Sequence, residues 1–238
     1  MGLLSQFREK RRRRKLSRLT PQAIFNEYFH RNKWRDADSR SGKGSNLRAT
    51  AELRELLPPL LHELGVKSLI DIPCGDFFWM QHVDLTGIDY LGGDIVPDII
   101  AANQTRYGSA NRQFQVVDLI SGPVPQGDLV FVRDCLVHLS HEHVRAALGN
   151  LLASGSTWLL ATIHPNVQQN EDILTGQWWP LNLTAPPFNL PAPDRLIAEG
   201  AAAEPGQDPD KHLGLWRLAN LAPQIAQLQD GAEGSHAP

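Results

Sequence analysis

The sequence predicts an α/β fold with a doubly wound, mostly parallel sheet and helices on both of its faces. Short aliphatic runs alternate with longer segments of helical character between residues 51 and 163, as expected when crossover helices join parallel strands. Four of the runs are followed by an acid. Because parallel strands bring their carboxyl ends to one edge of a sheet, these acids predict a ligand-binding crevice there.

Five strands and four helices are predicted in the chain up to residue 163. The predicted strands are the β-branched and aliphatic runs at 68–72, 90–96, 114–117, 128–132 and 158–163. Pro21 and Pro97 each stand at the first position of a predicted helix, where proline is favoured. The predicted helices cover 21–35, 51–64 with a break at Pro58-Pro59, 97–107 and 141–152.

The turn after the first strand indicates which nucleotide the crevice holds. A turn that binds a dinucleotide needs three glycines, whereas only Gly75 is present here. Pro73 has no amide hydrogen to offer a phosphate, and Phe77 would crowd its approach. Asp94 lies 23 positions after Asp71, close to the spacing of roughly 20 at which an acid binds a ribose diol. The pattern favours an adenosine-containing ligand without a pyrophosphate, although an ordinary strand-to-helix connection would have the same residues.

S-adenosylmethionine is such a ligand, since it carries a ribose, an adenine and an amino-acid end but no phosphate. Asp71 and Asp76 are the candidates to receive its ammonium group, and Asp118 is placed to accept a hydrogen bond from the adenine amino group. From about residue 34 to about residue 218 the chain resembles the class I S-adenosylmethionine-dependent methyltransferases. The resemblance implies a Rossmann-like sheet of seven strands, whose last two, at 195–199 and 212–218, form an antiparallel pair.

The resemblance also implies a set of contacts to the cofactor. The expected residues lie in the loop before the first strand and at the ends of the first four strands: Trp34, Ser45, Asp71, Cys74, Gly75, Asp76, Asp94, Ile95, Asp118, Leu119 and Arg133.

Catalysis is expected to need little beyond positioning and removal of a proton from the acceptor. Asp134 and His138, four residues apart beyond the fourth strand, are candidate catalytic residues, with His138 as the base or substrate anchor. The alternative for His138 is a structural histidine that hydrogen-bonds the backbone. His164, at the end of the fifth strand, is the second candidate.

The chain divides into four parts by composition. Residues 1–20 form a strongly basic arm, and residues 21–50 form a helix and a Gly/Ser loop that would cover the cofactor. Residues 51–220 form the methyltransferase domain, in which the proline-rich segment 164–193 would act as a lid, and 221–238 form a tail. The arm can bind nucleic acid or an anionic lipid surface, or it is a solvated segment without a fixed partner.

Several classes of protein and site are excluded by the sequence. Cys74 and Cys135 are too few for a disulfide framework, and neither CxxC nor HxxxH spacing indicates a metal. No apolar run approaches the roughly 20 residues of a membrane span, so stable membrane insertion is not expected. Reduced thiols and the absence of a secretory signal pattern predict a cytoplasmic location.

The residues directly after the fourth strand constrain the acceptor. Methyltransferases that act on base amino groups carry an Asp/Asn-Pro-Pro-aromatic box there, whereas this chain has RDCL at 133–136. The tryptophans and asparagines of the predicted lid suit a small molecule or glycan, methylated at a hydroxyl. An RNA or protein methyltransferase guided by the arm, and a non-catalytic cofactor-binding scaffold, are the alternatives.

Overall fold

A computed structural model describes residues 3–199 and 210–233 of the 238-residue chain. Its centre is a seven-stranded sheet with the strand order β3-β2-β1-β4-β5-β7-β6. The first five strands pair in parallel, and β7 is antiparallel to both β5 and β6. The predicted doubly wound sheet and its C-terminal antiparallel pair are confirmed.

Every predicted strand is present, with ends that match those expected or differ from them by at most two residues. The strands are β1 (Ser68–Asp71), β2 (Asp89–Asp94), β3 (Arg112–Val116), β4 (Leu129–Val132), β5 (Trp158–Ile163), β6 (Arg195–Ala198) and β7 (His212–Arg217).

Six helices surround the sheet in the described part of the chain. They are α1 (Leu3–Leu16), α2 (Pro21–His30), α3 (Ala51–Glu63), α4 (Pro97–Tyr107), α5 (His141–Ala153) and α6 (Leu218–Glu233). Helix α2 stops five residues earlier than predicted. The Thr20 side chain accepts a hydrogen bond from the Ala23 amide and caps its first turn.

The side chains of β4 show how the helices are distributed over the two faces of the sheet. Val130 and Val132 belong to one core cluster, with side chains of α5 and α6. Leu129 and Phe131 point to the opposite face and belong to a second cluster, with side chains of α3 and α4. All four are fully buried, as expected for a central strand of a sheet covered on both sides. The prediction of helices on both faces is therefore confirmed.

The predicted break of α3 at Pro58-Pro59 is wrong, because the helix continues through both prolines. Each proline removes a backbone hydrogen bond and would cost about 3 kcal/mol in an isolated helix. The apolar face of α3 is buried against the sheet, and burying each of its leucines stabilises by about 2 kcal/mol. Packing therefore outweighs the local preference. The leucines are Leu53, Leu57, Leu60 and Leu61.

Two segments pack more closely than the sequence indicates. The basic arm forms α1, whose last residue, Leu16, is buried against Ile24 and Tyr28 of α2. The segment 164–193 has no regular secondary structure, but it contributes to the core that covers α5. The expectation that it is too polar for the core is wrong for four of its side chains: Leu181, Leu183, Phe188 and Leu190.

Candidate active site

A cavity of about 670 Å³ opens at the carboxyl edge of the sheet, where β1 separates β2 and β3 from β4 and β5. This is the switch point at which doubly wound sheets bind ligands. All fourteen residues predicted for the site line the same cavity: Trp34, Ser45, Asp71, Cys74, Gly75, Asp76, Asp94, Ile95, Asp118, Leu119, Arg133, Asp134, His138 and His164.

The turn after β1 is held against the end of β2. Asp94 accepts hydrogen bonds from the Gly75 amide at 3.2 Å and from the Val96 amide at 2.9 Å. Gly75 has a φ of +54°, a conformation that favours glycine. On α4, the Asn103 amide group donates to the Gly75 carbonyl at 2.8 Å. Both sides of the turn are thus fixed before any ligand arrives.

Phe77 does not crowd this turn, contrary to the prediction. Its side chain is fully buried in the core and contacts the rings of Tyr90, Tyr107 and Phe114. Its φ of +57° turns it away from the cavity. Pro73 and the single glycine, which both line the cavity, are therefore the residues that disfavour a pyrophosphate.

Asp71 and Asp94 are both buried acids with raised pKa values. Burial raises the pKa of Asp71 to about 7, although a hydrogen bond of 2.7 Å from the Tyr90 hydroxyl and the nearby charge of Arg133 act in the opposite direction. Burial likewise raises the pKa of Asp94 to about 6, against the stabilising effect of its backbone hydrogen bonds. A cation or further hydrogen-bond donors beside such acids would lower their pKa values again and favour the ionised form.

Asp76 connects the N-terminal loop to the turn after β1. Its carboxylate accepts from the Ser39 hydroxyl at 2.9 Å, the Arg40 amide at 2.7 Å and the Ser41 hydroxyl at 3.2 Å. The Ser41 hydroxyl in turn accepts from the Asp76 amide at 3.1 Å. The loop that was predicted to cover the cofactor therefore lies directly over the turn that Gly75 forms.

Beyond β3, Asp118 forms a small turn of its own. Its carboxylate accepts from the Ile120 amide at 2.9 Å and from the Ser121 hydroxyl at 2.8 Å, and the residue is partly exposed. Leu119 beside it is buried, and Ile95 lines the cavity from the end of β2. An acid beside apolar side chains is the environment that an adenine ring needs.

The ends of β4, β6 and β7 meet in a buried group of four charges. Arg133 donates from Nε to Glu199 at 2.7 Å, and its guanidinium also bonds the Gly44 carbonyl at 2.7 Å. Lys211 contacts Asp134 at 2.6 Å and Glu199 at 3.1 Å. Burial alone would raise the pKa of Asp134, but the charges of Lys211 and Arg133 hold it well below the ordinary value.

His138 faces the cavity from a short 3₁₀ turn at Leu136–His138. Its Nδ1 lies 2.9 Å from the Gln177 carbonyl oxygen, which can only accept. Nδ1 therefore carries the proton, and Nε2 of the neutral ring has a free electron pair. Burial lowers the pKa of His138, so the ring is neutral at neutral pH. The Trp34 ring lies 6.0 Å from it, centroid to centroid.

His164 differs from His138 in its surroundings. It is 1% exposed, and its Nδ1 accepts from the Leu181 amide at 3.3 Å, which places the ring against the segment that follows β5. The Trp178 ring contacts it edge-on at 6.1 Å. Of the segment 164–193, only His164 and residues 176–178 line the cavity. A lid role for the whole segment stays a prediction.

Several contributors to the site were not predicted. Tyr90 stands opposite Leu69 in the β1–β2 register. Its hydrogen bond to Asp71 can be predicted only when the alignment of the two strands is known. Asn103 lies on the buried face of α4, whose other buried residues, Ile99 and Ile100, are apolar. Glu199 directly follows β6 and Lys211 directly precedes β7, and their closeness to the residues after β4 depends on the strand order. Gln177 lies in the irregular segment after β5, where no local sequence pattern indicates a role in the site.

Residues 3–199 and 210–233 contain neither a candidate metal site nor a candidate membrane span. No group of three or more His, Cys, Asp or Glu side chains is arranged there to hold a metal ion. None of the helices in these ranges is long and apolar enough to cross a bilayer.

The chain shares its fold with solved structures of methyltransferases. The N-methyltransferase NodS from Bradyrhizobium japonicum WM9, solved with S-adenosyl-L-homocysteine, is 17% identical with a TM-score of 0.56 over 81% of this chain and 98% of that chain. Magnesium protoporphyrin IX methyltransferase from Synechocystis PCC 6803, solved with its cofactor, is 14% identical with a TM-score of 0.55 over 83% and 96%.

A third solved structure is the methyltransferase domain of a bacterial Hen1 protein, CtHen1-CN. It is 13% identical with a TM-score of 0.52 over 72% of this chain and all of that chain. No protein-family model matches the sequence, and no curated protein matches it either. At identities this low the likeness establishes the fold, and the activity has to be argued from the cavity itself.

Proposed function

We infer that this protein transfers a methyl group from S-adenosylmethionine to a hydroxyl of a small-molecule or sugar-type acceptor. The observation that carries the proposal is the convergence of two buried acids, Asp71 and Asp94, on the Gly75 turn, in one cavity with the neutral imidazole of His138. The acids provide a site for a cationic adenosyl cofactor, and the imidazole provides a base.

The residues present fit this cofactor. The raised pKa values of Asp71 and Asp94 mark two carboxyls that a positively charged ligand would compensate. The turn offers only Gly75 and the imino acid Pro73, so a phosphate has few amide donors, whereas a phosphate-free ligand needs none. Asp94 would bind the ribose hydroxyls, Asp118 and Leu119 the adenine, and Asp71 the ammonium group.

The bound cofactor supplies an electrophilic methyl group on a sulfonium centre. The protein's own contribution is to hold the acceptor, exclude water and receive one proton. His138 accepts the proton of the acceptor hydroxyl at Nε2 while Nδ1 keeps its hydrogen bond to the Gln177 carbonyl. Asp134 is bound to Lys211 and Arg133, so we assign it to positioning through this ionic network.

The acceptor is expected between the rings of Trp34 and Trp178. Both line the cavity, and the Trp178 side chain is 49% exposed, so its face is available for stacking. Flat aromatic faces and the nearby Gln177 suit a ring that carries hydroxyl groups. One similar solved structure is named for a porphyrin and another as an N-methyltransferase, so this assignment depends on the residues of this cavity.

Calorimetric titration of the full-length protein with S-adenosylmethionine tests the proposal. We expect one site per chain, with S-adenosyl-L-homocysteine competing for it. Absence of binding, or an Asp94→Asn variant that binds as well as the parent, would overturn the proposal. Binding without methyl transfer to any acceptor in a hydroxyl panel would favour the scaffold alternative. Methyl transfer to RNA or protein is the second candidate function. A groove beside the cavity that is lined by basic side chains favours RNA over protein.

A further inference from the structure

We propose that a groove between α1 and α2 binds single-stranded RNA and leads one of its sugar hydroxyls into the cavity. The inference rests on the proposed methyl transfer from S-adenosylmethionine to a hydroxyl, and it takes RNA, the second candidate, as the acceptor. The first observation is the charge of the groove. Its lining has eight basic side chains and a single acid, Glu27. Besides Arg12 and Lys33, the basic residues are Arg11, Arg14, Lys15, Arg18, Arg31 and Arg35.

The positive charge of the groove contrasts with the negative net charge of the whole chain. The groove lining carries an excess of seven positive charges, whereas the whole chain has a net charge of −3, which leaves −10 for the remainder. Glu27 pairs with Lys15 and with Arg31, the latter at 3.1 Å. Within the described residues, the other six basic side chains form no salt bridge with a carboxylate. A single phosphate cannot compensate six such cations, whereas a chain of phosphates can.

The arrangement of these residues forms one continuous surface. Arg11, Arg14 and Lys15 follow the i, i+3, i+4 spacing of a helix face, so they point toward the same side of α1, and Arg18 lines the groove from the turn after the helix. Leu16, the last residue of α1, is buried against α2, so the basic face of α1 is held at a fixed distance from α2. A concave strip between two helices admits a polymer strand, whereas a flat bilayer surface cannot enter it.

The groove opens into the catalytic cavity close to His138. Arg12, Tyr28 and Lys33 line both spaces. Arg12 and the Tyr28 hydroxyl both donate to the Gly176 carbonyl, at 3.4 Å and 2.7 Å. The Gly176 amide bonds the His138 carbonyl at 2.8 Å. A strand lying in the groove would therefore enter the cavity beside the turn that carries His138.

The cavity beyond the junction suits an unpaired nucleotide. Trp34 and the half-exposed Trp178 present aromatic faces on which bases stack without sequence preference. RNA offers a ribose hydroxyl on every nucleotide, whereas DNA offers one only at its terminus. Arg133-Asp134-Cys135-Leu136 lacks the box that directs transfer to base amino groups, which agrees with a sugar hydroxyl as the acceptor.

The test uses the full-length protein and a labelled ten-nucleotide single-stranded RNA, followed by fluorescence anisotropy at several NaCl concentrations. We expect the groove variant Arg14→Ala/Arg18→Ala to bind about 10-fold more weakly. The slope of log K against log[NaCl] should fall by about 1.4, because each of two phosphates no longer neutralised contributes about 0.7. The matched control is Lys10→Ala/Arg13→Ala, which removes two charges from α1 outside the groove and should stay within about 2-fold of the parent.

Methyl transfer supplies the second readout. With radiolabelled S-adenosylmethionine, the parent protein should label the RNA, and the groove variant should label it with a higher KM and a similar kcat. Equal weakening by both double variants, or preferential binding to phosphatidylserine vesicles with no RNA binding, would overturn the groove assignment. A protein that binds the cofactor but not RNA loses only this inference, whereas one that fails to bind the cofactor loses the proposed function.

Discussion

The imidazole of His138 is oriented by the backbone of Gln177, whose carbonyl oxygen lies 2.9 Å from its Nδ1. The two residues are 39 positions apart, and the bond joins the turn after β4 to the segment after β5. Because Nδ1 must donate, the electron pair of the neutral ring is on Nε2. Gly176 bonds the His138 carbonyl as well, so the position of the residue is fixed from two sides.

His138→Ala should lower kcat by about 100-fold to 10,000-fold, the usual contribution of a general base, with little change in cofactor affinity. Methyl-transfer rates measured over pH 5–9 would also lose their acidic limb, which reports protonation of Nε2. His62→Ala removes an exposed histidine of α3 and should leave the rates unchanged. If His138→Ala keeps the parent's kcat, the residue has only a structural role.

Asp94→Asn should weaken S-adenosylmethionine binding by about 10-fold to 100-fold, because a hydrogen bond to a charged group contributes about 1.5–3 kcal/mol. The matched control is Asp89→Asn, at the opposite and exposed end of the same strand, which should bind normally. Calorimetry gives both affinities. Equal losses in the two variants would mean that β2 has been disturbed and that Asp94 has no specific contact.

The acids of the cofactor site could be predicted from the sequence, whereas the ionic contacts of Asp134 could not. Asp71 and Asp94 each end an aliphatic run, so the strand pattern alone places both at the carboxyl edge. The partners of Asp134 cannot be found in this way. Lys211 is 77 residues away, and it reaches Asp134 only because β7 inserts between β5 and β6. Local patterns predict strand ends, whereas ionic contacts across the sheet depend on strand order.

Cofactor affinity should depend on pH through Asp71 and Asp94, whose pKa values are about 7 and about 6. A cationic ligand requires both carboxylates, so affinity should rise with pH through this range, by at least about 10-fold between pH 5.5 and pH 8. Titrations at each pH measure the effect. In the Asp71→Asn variant the part of the rise in cofactor affinity near pH 7 should disappear. An unchanged dependence of affinity on pH would contradict the role of Asp71 in binding the cofactor.

The same two groups should make the ligand-free protein less stable as pH rises from about 4 to about 7. Their folded-state pKa values exceed the ordinary value of 3.8, so the folded state binds more protons than the unfolded chain in this window. The free energy of unfolding therefore falls with increasing pH, as far as these groups determine it. Urea unfolding of the parent and of the Asp71→Asn/Asp94→Asn variant, compared at pH 5 and pH 7.5, isolates their contribution. Equal pH slopes in the two proteins would contradict it.

Replacement of Gly75 by alanine separates backbone strain from the contact between the N-terminal loop and the turn. Gly75 has a φ of +54°, and a Cβ there would lie 2.1 Å from the Ser41 hydroxyl oxygen. Gly87 has a φ of +76° and no atom within 4 Å of the same position. Gly87→Ala should therefore cost only the left-handed backbone penalty of about 1–2 kcal/mol in urea unfolding.

Gly75→Ala should cost more than Gly87→Ala, because Ser41 must move and its hydrogen bonds with Asp76 lengthen or break. The displaced loop should also weaken cofactor binding by about 10-fold or more, whereas Gly87→Ala should bind as the parent does. Ser41→Ala in the Gly75→Ala background removes the clashing oxygen and should recover part of the lost stability. Equal unfolding free energies for the two alanine variants would show that the loop yields at no cost, and that its contact with the turn does not position the cofactor.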